Sequence, residues 1–320
     1  MSFTAEVRDE LSRLEQKHEC CNKAELSALI RLDGTVTRTG TNQYRLEVAT
    51  ENAQVARRII KLIRRLYQLK TELTVRRSIL HKTNNYQITV PNQPRLEAVL
   101  EELGLAGSVY LGGGIEPLLI RRDCCAIAYL RGAFLGAGFI ASPQGDYHFE
   151  IRAHTETLAN ELSTLMARFT VDGRVIARRG AWTVYLKGAE PIINFLALVG
   201  AHKALLETEN VRIIKSYRND VNRRVNAEIA NQAKASEAAL SQLADIKLIE
   251  SSVGLDSLAP ALADFARLRL QNPELSLREL GEASTPPLSK SALNHRMRRL
   301  ADTANRIRFE KQLKNRSGSN

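Results

Sequence analysis

Leu26-Ser-Ala-Leu-Ile-Arg-Leu-Asp-Gly34 and Leu130-Arg-Gly-Ala-Phe-Leu-Gly-Ala-Gly138 are two versions of one nine-residue segment, and the vicinal pair Cys20-Cys21 returns at the same offset as Cys124-Cys125. The echo continues downstream. Tyr44-Arg-Leu-Glu-Val48 answers Tyr147-His-Phe-Glu-Ile151, and Gln93-Pro-Arg-Leu-Glu-Ala-Val-Leu100 answers Ala189-Glu-Pro-Ile-Ile-Asn-Phe-Leu196. The first 205 residues therefore read as one unit present twice, with halves at about 1–106 and 115–205. Two long copies exclude a solenoid and favour a single pseudo-twofold domain.

Within each half, helical and strand periodicities alternate in the order α-β-β-α-β-β-α. Tyr44 to Ala49 alternates as a strand. Glu51 to Lys70 carries Val55, Ile59, Leu62, Leu66 and Leu69 at helical spacing, and Leu73 to Val75 with Tyr86 to Val90 flank a turn at Thr83-Asn-Asn85. The second copy repeats this with a helix over Thr155 to Phe169 and strands over Val175 to Ala177 and Trp182 to Leu186. A four-stranded antiparallel sheet per half is implied.

The 46 Lys and Arg against 35 Asp and Glu leave a formal charge of +11, which points to a polyanionic partner. Residues 1–206 hold 27 basic and 21 acidic groups (+6) and the remainder 19 and 14 (+5), so both parts are cationic. The longest apolar stretch, Pro191 to Ala201, is too short to cross a bilayer, and a cytoplasmic protein with no membrane partner is expected. No Cys-x-x-Cys zinc spacing is present. Adjacent helical residues point about 100° apart, so at most one cysteine of each pair should face the other repeat. The cysteines read as small packing residues, with a metal or redox role as the minority alternative; no cofactor or metal is expected. His81, His148 and His154 lack a partner at ligand spacing, and Gly112-Gly-Gly114 lacks the Lys-Ser/Thr of a phosphate loop and reads as a flexible connection.

From residue 206 to 254 the pattern is long, polar and helical, a linker with too few apolar residues for its own core, ending at a hinge over Ser251-Ser-Val-Gly254. Residues 255–308 then read as three helices and 309–320 as a flexible tail. Ser276-Leu-Arg-Glu279 is a capping box opening the second helix, Thr285-Pro-Pro287 breaks the chain, and a third helix starts at Ser289 with Leu293, Met297 and Leu300 inward. This is the organisation of a helix-turn-helix, whose second helix reads the major groove. Ser289, Lys290, Ser291, Asn294, His295, Arg296, Arg298 and Arg299, together with Arg278, are the candidate DNA-binding residues: Arg296, Arg298 and Arg299 at phosphates, Lys290, Asn294 and His295 nearer the bases. The turn is longer than the tight glycine-containing form.

The two nine-residue segments, each leading a helix-strand-strand-helix-strand-strand unit, resemble the LAGLIDADG motif of homing endonucleases. The resemblance implies that the two motif helices pack at the pseudo-dyad through small residues, here Ala28, Gly132 and Gly136, and that the paired sheets form a saddle over DNA. In those nucleases the acidic residue before the final motif glycine of each copy binds divalent ions. The first copy has Asp33 there and the second has Ala137, so one carboxylate is missing and cleavage is not expected. The combination with a helical connector and a helix-turn-helix is similar to the WhiA family of sporulation and cell-division regulators. Ser2-Phe-Thr-Ala-Glu-Val-Arg-Asp-Glu-Leu11, Leu130-Arg-Gly-Ala-Phe-Leu135, Asn219-Asp-Val-Asn-Arg223, Asn226 to Asn231 and Leu288-Ser-Lys-Ser-Ala-Leu-Asn-His-Arg296 carry the likeness.

The fold expected is α+β: a duplicated αββαββα saddle with pseudo-twofold symmetry, then an all-α helix-turn-helix domain. The function expected is a non-enzymatic, sequence-specific regulator of transcription. Its partners would be double-stranded DNA and other transcription or cell-division proteins. It would act as a nucleoid-associated monomer in sporulation, cell division or chromosome segregation of Gram-positive bacteria. An active metal-dependent endonuclease and a nucleoid-tethered protein- or RNA-binding module are the alternatives. Arg76, Arg77, Arg178 and Arg179, at matching places in the two halves, and Arg223 and Arg224 on the connector are candidate additional DNA contacts. Arg57, Arg58, Lys61, Arg64 and Arg65 read as the solvated outer face of their helix.

Overall fold

The Ser2 hydroxyl accepts from the Ala5 N–H and starts α1 (Phe3–Ser12), whose Phe3, Val7 and Leu11 recur every fourth residue and are buried. The first motif segment follows as the C-terminal part of α2 (Glu19–Asp33), which runs directly into β1 (Gly34–Gly40). Then come β2 (Gln43–Thr50), α3 (Ala53–Tyr67), β3 (Glu72–Arg77), β4 (Asn84–Val90) and α4 (Leu96–Glu102). The second copy repeats the series as α5 (Asp123–Ala137), β5 (Gly138–Ile140), β6 (His148–Ala153), α6 (Glu156–Ala167), β7 (Arg174–Arg178), β8 (Ala181–Lys187) and α7 (Ala189–Val199). The sheets have the orders β1-β2-β4-β3 and β5-β6-β8-β7, antiparallel throughout. The α+β duplication is the observed architecture. This computed structural model describes residues 2–41, 43–77, 84–106, 113–178 and 180–317. His81, Gly112, Arg179 and the start of the 83–85 turn lie outside them.

Both copies share one hydrophobic core, and α2 and α5 run through its middle. Neither helix is amphipathic in the usual sense. Residues 24–32 and 125–136 are buried on nearly every side, apart from Ile127, because each helix has its partner on one face and its own sheet on another. At their crossing a Cβ on Gly132 would stand 2.3 Å from the Glu25 carbonyl oxygen and 3.0 Å from the Ala28 Cβ, so only glycine admits this approach. Gly136 is roomier, with Leu32 Cβ 3.4 Å from the same construction. The matched positions Ser27 and Arg131 do one job twice. The Ser27 hydroxyl donates to the Leu103 carbonyl (2.7 Å) and Arg131 Nε to the Val199 carbonyl (2.8 Å), each holding the end of its own copy's last helix.

A buried ion-pair group crosses the repeat boundary. Glu25 on α2 accepts from Arg58 Nε at 2.7 Å, and Arg131 on α5 lies 3.6 Å from its other oxygen. Burial pushes the Glu25 carboxyl above its ordinary value, against the pull of Arg58 and Arg131. Arg58 is thus not on the solvated outer face expected for it: it flanks the apolar stripe of α3 and turns inward to pair with the buried Glu25.

α8 (His202–Val253) is one uninterrupted helix of 52 residues. Its first part belongs to a unit spanning Met1–Ser216, where Lys215 donates to the Pro143 carbonyl (2.8 Å), and the rest to a unit spanning Tyr217–Asn320. In the second unit α9 (Pro260–Gln271), α10 (Leu277–Ala283) and α11 (Lys290–Ser317) surround a separate core. Ile246 and Ile249 of α8 join Phe265, Leu280, Leu293, Met297, Leu300, Ala304 and Ile307 there. The last turns of the connector are therefore structural members of the C-terminal core. The tail is also different from expectation: α11 continues to Ser317, because Ala304 and Ile307 extend the buried stripe and Arg308 pairs with Asp245 at 2.5 Å.

Filling Gly132 should force the two central helices apart. Gly132→Ala is expected to lose about 1–3 kcal/mol despite the better helix propensity of alanine, whereas Gly136→Ala should be neutral or stabilising. Equilibrium urea unfolding of the two variants checks the contrast.

Candidate nucleic-acid interface

The C-terminal ends of α2 and α5 meet at the floor of a cleft of about 670 Å3 lined by residues of both repeats, among them Arg8, Asp33, Glu51, Ala137, Arg152 and His154. Ala137 offers no ligand. The space beside it is taken by a guanidinium: Arg8 Nη2 donates to the Gly136 carbonyl (3.1 Å) and the Gly138 carbonyl (2.8 Å), satisfying the end of α5. His154 Nε2 lies 2.9 Å from the Leu32 carbonyl at the matching end of α2. Burial pushes the Asp33 carboxyl up to about 6, opposed by Arg8, His154 and Arg152. Burial likewise lowers the Arg8 guanidinium, which Asp33 and Glu51 counter. The Arg8 guanidinium thus stands at the end of α5 where a second motif carboxylate would be needed, with Asp33, Glu51, Arg152 and His154 around it, a poor setting for a pair of divalent ions.

Sheet register sorts the basic residues expected in the strands. Directly opposed residues share a face. Arg76 opposes Asn85 and lies with Thr74, Gln87 and Glu47 on the polar face, while Arg77 opposes Asn84 and alternates onto the face of Leu73 and Ile88. In the second sheet Arg178 opposes Ala181, and it shares the polar face with Arg152, Arg174, Lys187 and Glu150. That second face is clearly cationic. The first balances Arg45 and Arg76 against Glu47 and Glu72, and Arg45 already pairs with Glu47 at 2.9 Å.

In the C-terminal unit Ser276 accepts from the Glu279 N–H and Glu279 accepts from the Ser276 N–H, so the capping box forms as expected. The turn is closed by Leu288 N–H donating to the Gly281 carbonyl (2.9 Å). A Cβ on Gly281 would lie 2.4 Å from the Leu288 carbonyl oxygen, so this helix-turn-helix does depend on a glycine, placed inside α10 rather than in the loop. The Ser289 hydroxyl accepts from the Ala292 N–H, and α11 starts there. Leu293, Met297 and Leu300 face the core, leaving Lys290, Ser291, Asn294, His295, Arg298 and Arg299 exposed. Arg296 is not among them: it is half-buried, lining a recess of about 450 Å3 with Asp264, Phe265 and Leu288. Arg278 is exposed and paired with Glu282 at 3.2 Å, Arg223 is paired with Asp220, and Arg224 is exposed.

Three family models match the chain in succession: a WhiA N-terminal LAGLIDADG-like domain over residues 19–106, a WhiA LAGLIDADG-like domain over 126–218, and a WhiA C-terminal HTH domain over 221–304. The chain is 46% identical over 315 residues to a protein of Desulforamulus reducens, with 98% of each chain covered, and 45% identical over 307 residues to one of Heliobacterium modesticaldum, with 95% and 96% covered. The chain belongs to the WhiA family. Both relatives carry the name probable cell division protein WhiA. The full-length WhiA of Thermatoga maritima superposes with a TM-score of 0.60 at 25% identity, covering 96% of this chain and 99% of that one.

Two features of this WhiA fold were missed in the sequence. Arg8 looks like an ordinary charge on an amphipathic helix, and only folding brings it 128 residues along to the Gly136 carbonyl. The cysteines are the second. All four sulfurs lie within 4.8 Å of one another, so both members of each pair reach the dyad. The 100° expectation does not hold: the pairs occupy the second and third positions of α2 and α5, and both members of each pair come together with those of the other. Cys21 and Cys125 are 3.9 Å apart. Burial pushes Cys125 up to about 12 and Cys21 up as well, while the hydrogen bond from Cys125 draws Cys20 down.

Asp33 should leave a signature in stability. Its folded carboxyl keeps a proton to about pH 6, whereas the unfolded one releases it near 3.8, so the folded state binds more protons in between. Wild type is expected to lose about 2–3 kcal/mol relative to Asp33→Asn as pH rises from about 4 to about 6, with no further loss above. Urea unfolding of both proteins across that range measures it, and superimposable pH curves would show a carboxyl titrating as in water.

Proposed function

We propose that this chain is a non-enzymatic, sequence-specific DNA-binding regulator of transcription that uses α11 to read the major groove. The observation that carries this reading is the exposed face of α11. Ser291, Asn294 and His295 stand in its first two turns, where a recognition helix meets base edges, and Arg298 and Arg299 one turn later, where phosphates run. Lys290 and the Ser289 cap lie at its start. Arg296, half-buried in the recess it shares with α9, is less open to a phosphate than Arg298 and Arg299. The cationic face of the second sheet, with Arg152, Arg174, Arg178 and Lys187, offers further backbone contacts, and Arg76 a weaker one on the first sheet. Arg223 and Arg224 on α8 and Arg278 on α10 add charge to the C-terminal unit.

The names of the relatives support a role in cell division, and sporulation or chromosome segregation are the wider processes in which such a regulator would act, as a nucleoid-associated protein of the cytoplasm. Among the described residues no helix is long and apolar enough to cross a membrane. Ala137 and the Arg8 guanidinium speak against the endonuclease alternative, and supercoiled plasmid incubated with magnesium should stay uncut.

Counterion release gives the direct test. Affinity for a specific duplex should fall steeply with salt, and Arg298→Ala should reduce the slope of log K against log salt by about one unit. Asn294→Ala should instead narrow the gap between specific and random duplexes with the slope unchanged. Salt-independent binding by the intact chain would sink the proposal.

A further inference from the structure

We propose that Cys20, Cys21, Cys124 and Cys125 form a closed tetrathiolate site for one divalent metal ion, zinc in the first place, that clamps the N-terminal ends of α2 and α5. All four Sγ atoms lie within 4.8 Å of one another, with Cys21–Cys125 and Cys124–Cys125 both at 3.9 Å. A tetrahedral zinc with bonds of about 2.3 Å places its ligand sulfurs about 3.8 Å apart. Two of the pairs already have that spacing, and every other pair lies within 4.8 Å. A disulfide needs a sulfur separation of about 2 Å, much closer than either pair, and an iron–sulfur cluster needs its thiolates spread around a polynuclear core.

The electrostatics match the charge such a site carries. Zinc with four thiolates is formally −2. It would sit against the first turns of two helices, whose free N–H groups and positive dipole ends favour negative charge. Arg122 acts on Cys20, and Arg131 lies within electrostatic reach of Cys21. Loading needs no oxidant: the four thiols release four protons to solvent, the sulfurs donate their lone pairs to the ion, and the d10 metal keeps its oxidation state. With four protein ligands no position is open for water or substrate, which makes the site structural rather than catalytic. Cys21 and Cys125 are buried while Cys124 is exposed and Cys20 half-buried, so the ion has an entry side.

The placement assigns the ion a purpose. The cysteines stand at one end of the helix pair and Asp33 and Ala137 at the other, about 20 Å along the axis. A metal there would tie the two repeats together through coordinate bonds at the N-terminal ends of their motif helices. It would leave the Arg8 cleft untouched.

The experiment uses the full-length chain purified under reducing conditions without chelator. Elemental analysis should find about one zinc per chain. The chelator-stripped protein titrated with cobalt(II) should give the intense sulfur-to-metal charge-transfer band and the red d–d bands of tetrahedral thiolate coordination. Cys124→Ser, which changes an exposed side chain, and Cys20→Ser should each bind substoichiometric zinc in competition with a chromophoric chelator, while their circular dichroism stays that of wild type. Chelator should lower the melting temperature of wild type and leave that of Cys124→Ser unchanged. A wild-type chain that holds no zinc and gives no thiolate bands with cobalt would overturn the proposal, as would cysteines found paired in disulfides with no metal bound. So would variants that retain stoichiometric zinc. Should a serine variant fail to fold, the cobalt spectrum of wild type decides alone.

Discussion

The two motif helices touch backbone to backbone where Gly132 of α5 meets the Glu25 carbonyl of α2, and the N-terminal unit is arranged around that contact. Close approach leaves no room for water between the helices, so whatever lines them is either apolar or must find its partner inside. Glu25 therefore recruits Arg58 from its own repeat and Arg131 from the other. Removing one member of such a group strands a buried charge, typically at a cost of 3–5 kcal/mol, which makes the group a device for fixing how the repeats dock. The same crossing brings the cysteines together at one end and the Asp33 cleft at the other.

At the cleft the two motif helices end in different side chains. A hydrolytic pair of ions needs carboxylates from both helices. Here one helix ends in Ala137, and α1 supplies Arg8, which occupies the carbonyls that close α5. Asp33, the carboxyl at the end of α2, is pushed up by burial. The polar faces of the sheets meanwhile retain basic residues, unequally: the second sheet is cationic and the first is nearly balanced.

The C-terminal unit solves a different problem, that of presenting one helix with a minimal core. α10 is short, so its stability rests on the capping box and on Gly281, which lets the Leu288 carbonyl lie against the helix backbone. That closure aims α11 and commits Leu293, Met297 and Leu300 inward. The last turns of α8 complete the core through Ile246 and Ile249, so the long helix is both a tether and a part of the module it carries.

Periodicity and repetition determined most of the architecture. The duplicated segment, the alternating strands, the capping box and the apolar spacing of α11 are local properties, set by which residues face which side of a helix or strand. The missing acid at position 137 was equally legible, because it is an identity at a fixed place in a motif. What depended on three-dimensional closure was decided only by the tertiary structure. Arg8 and Arg58 look like surface bases in a one-dimensional pattern, yet burial and a partner far along the chain turn each inward, and Arg296 ends half-buried in a recess it shares with residues of α9. The four cysteines read as two repeat-related pairs with at most one member of each facing the other repeat, whereas the folded helix pair brings all four sulfurs within 4.8 Å of one another. Arg76 and Arg77 separate only when strand register gives them opposite faces. Local sequence fixes what a residue is and which way its element points it, but a charge or a thiol acquires its role from neighbours that the sequence holds scores of residues away.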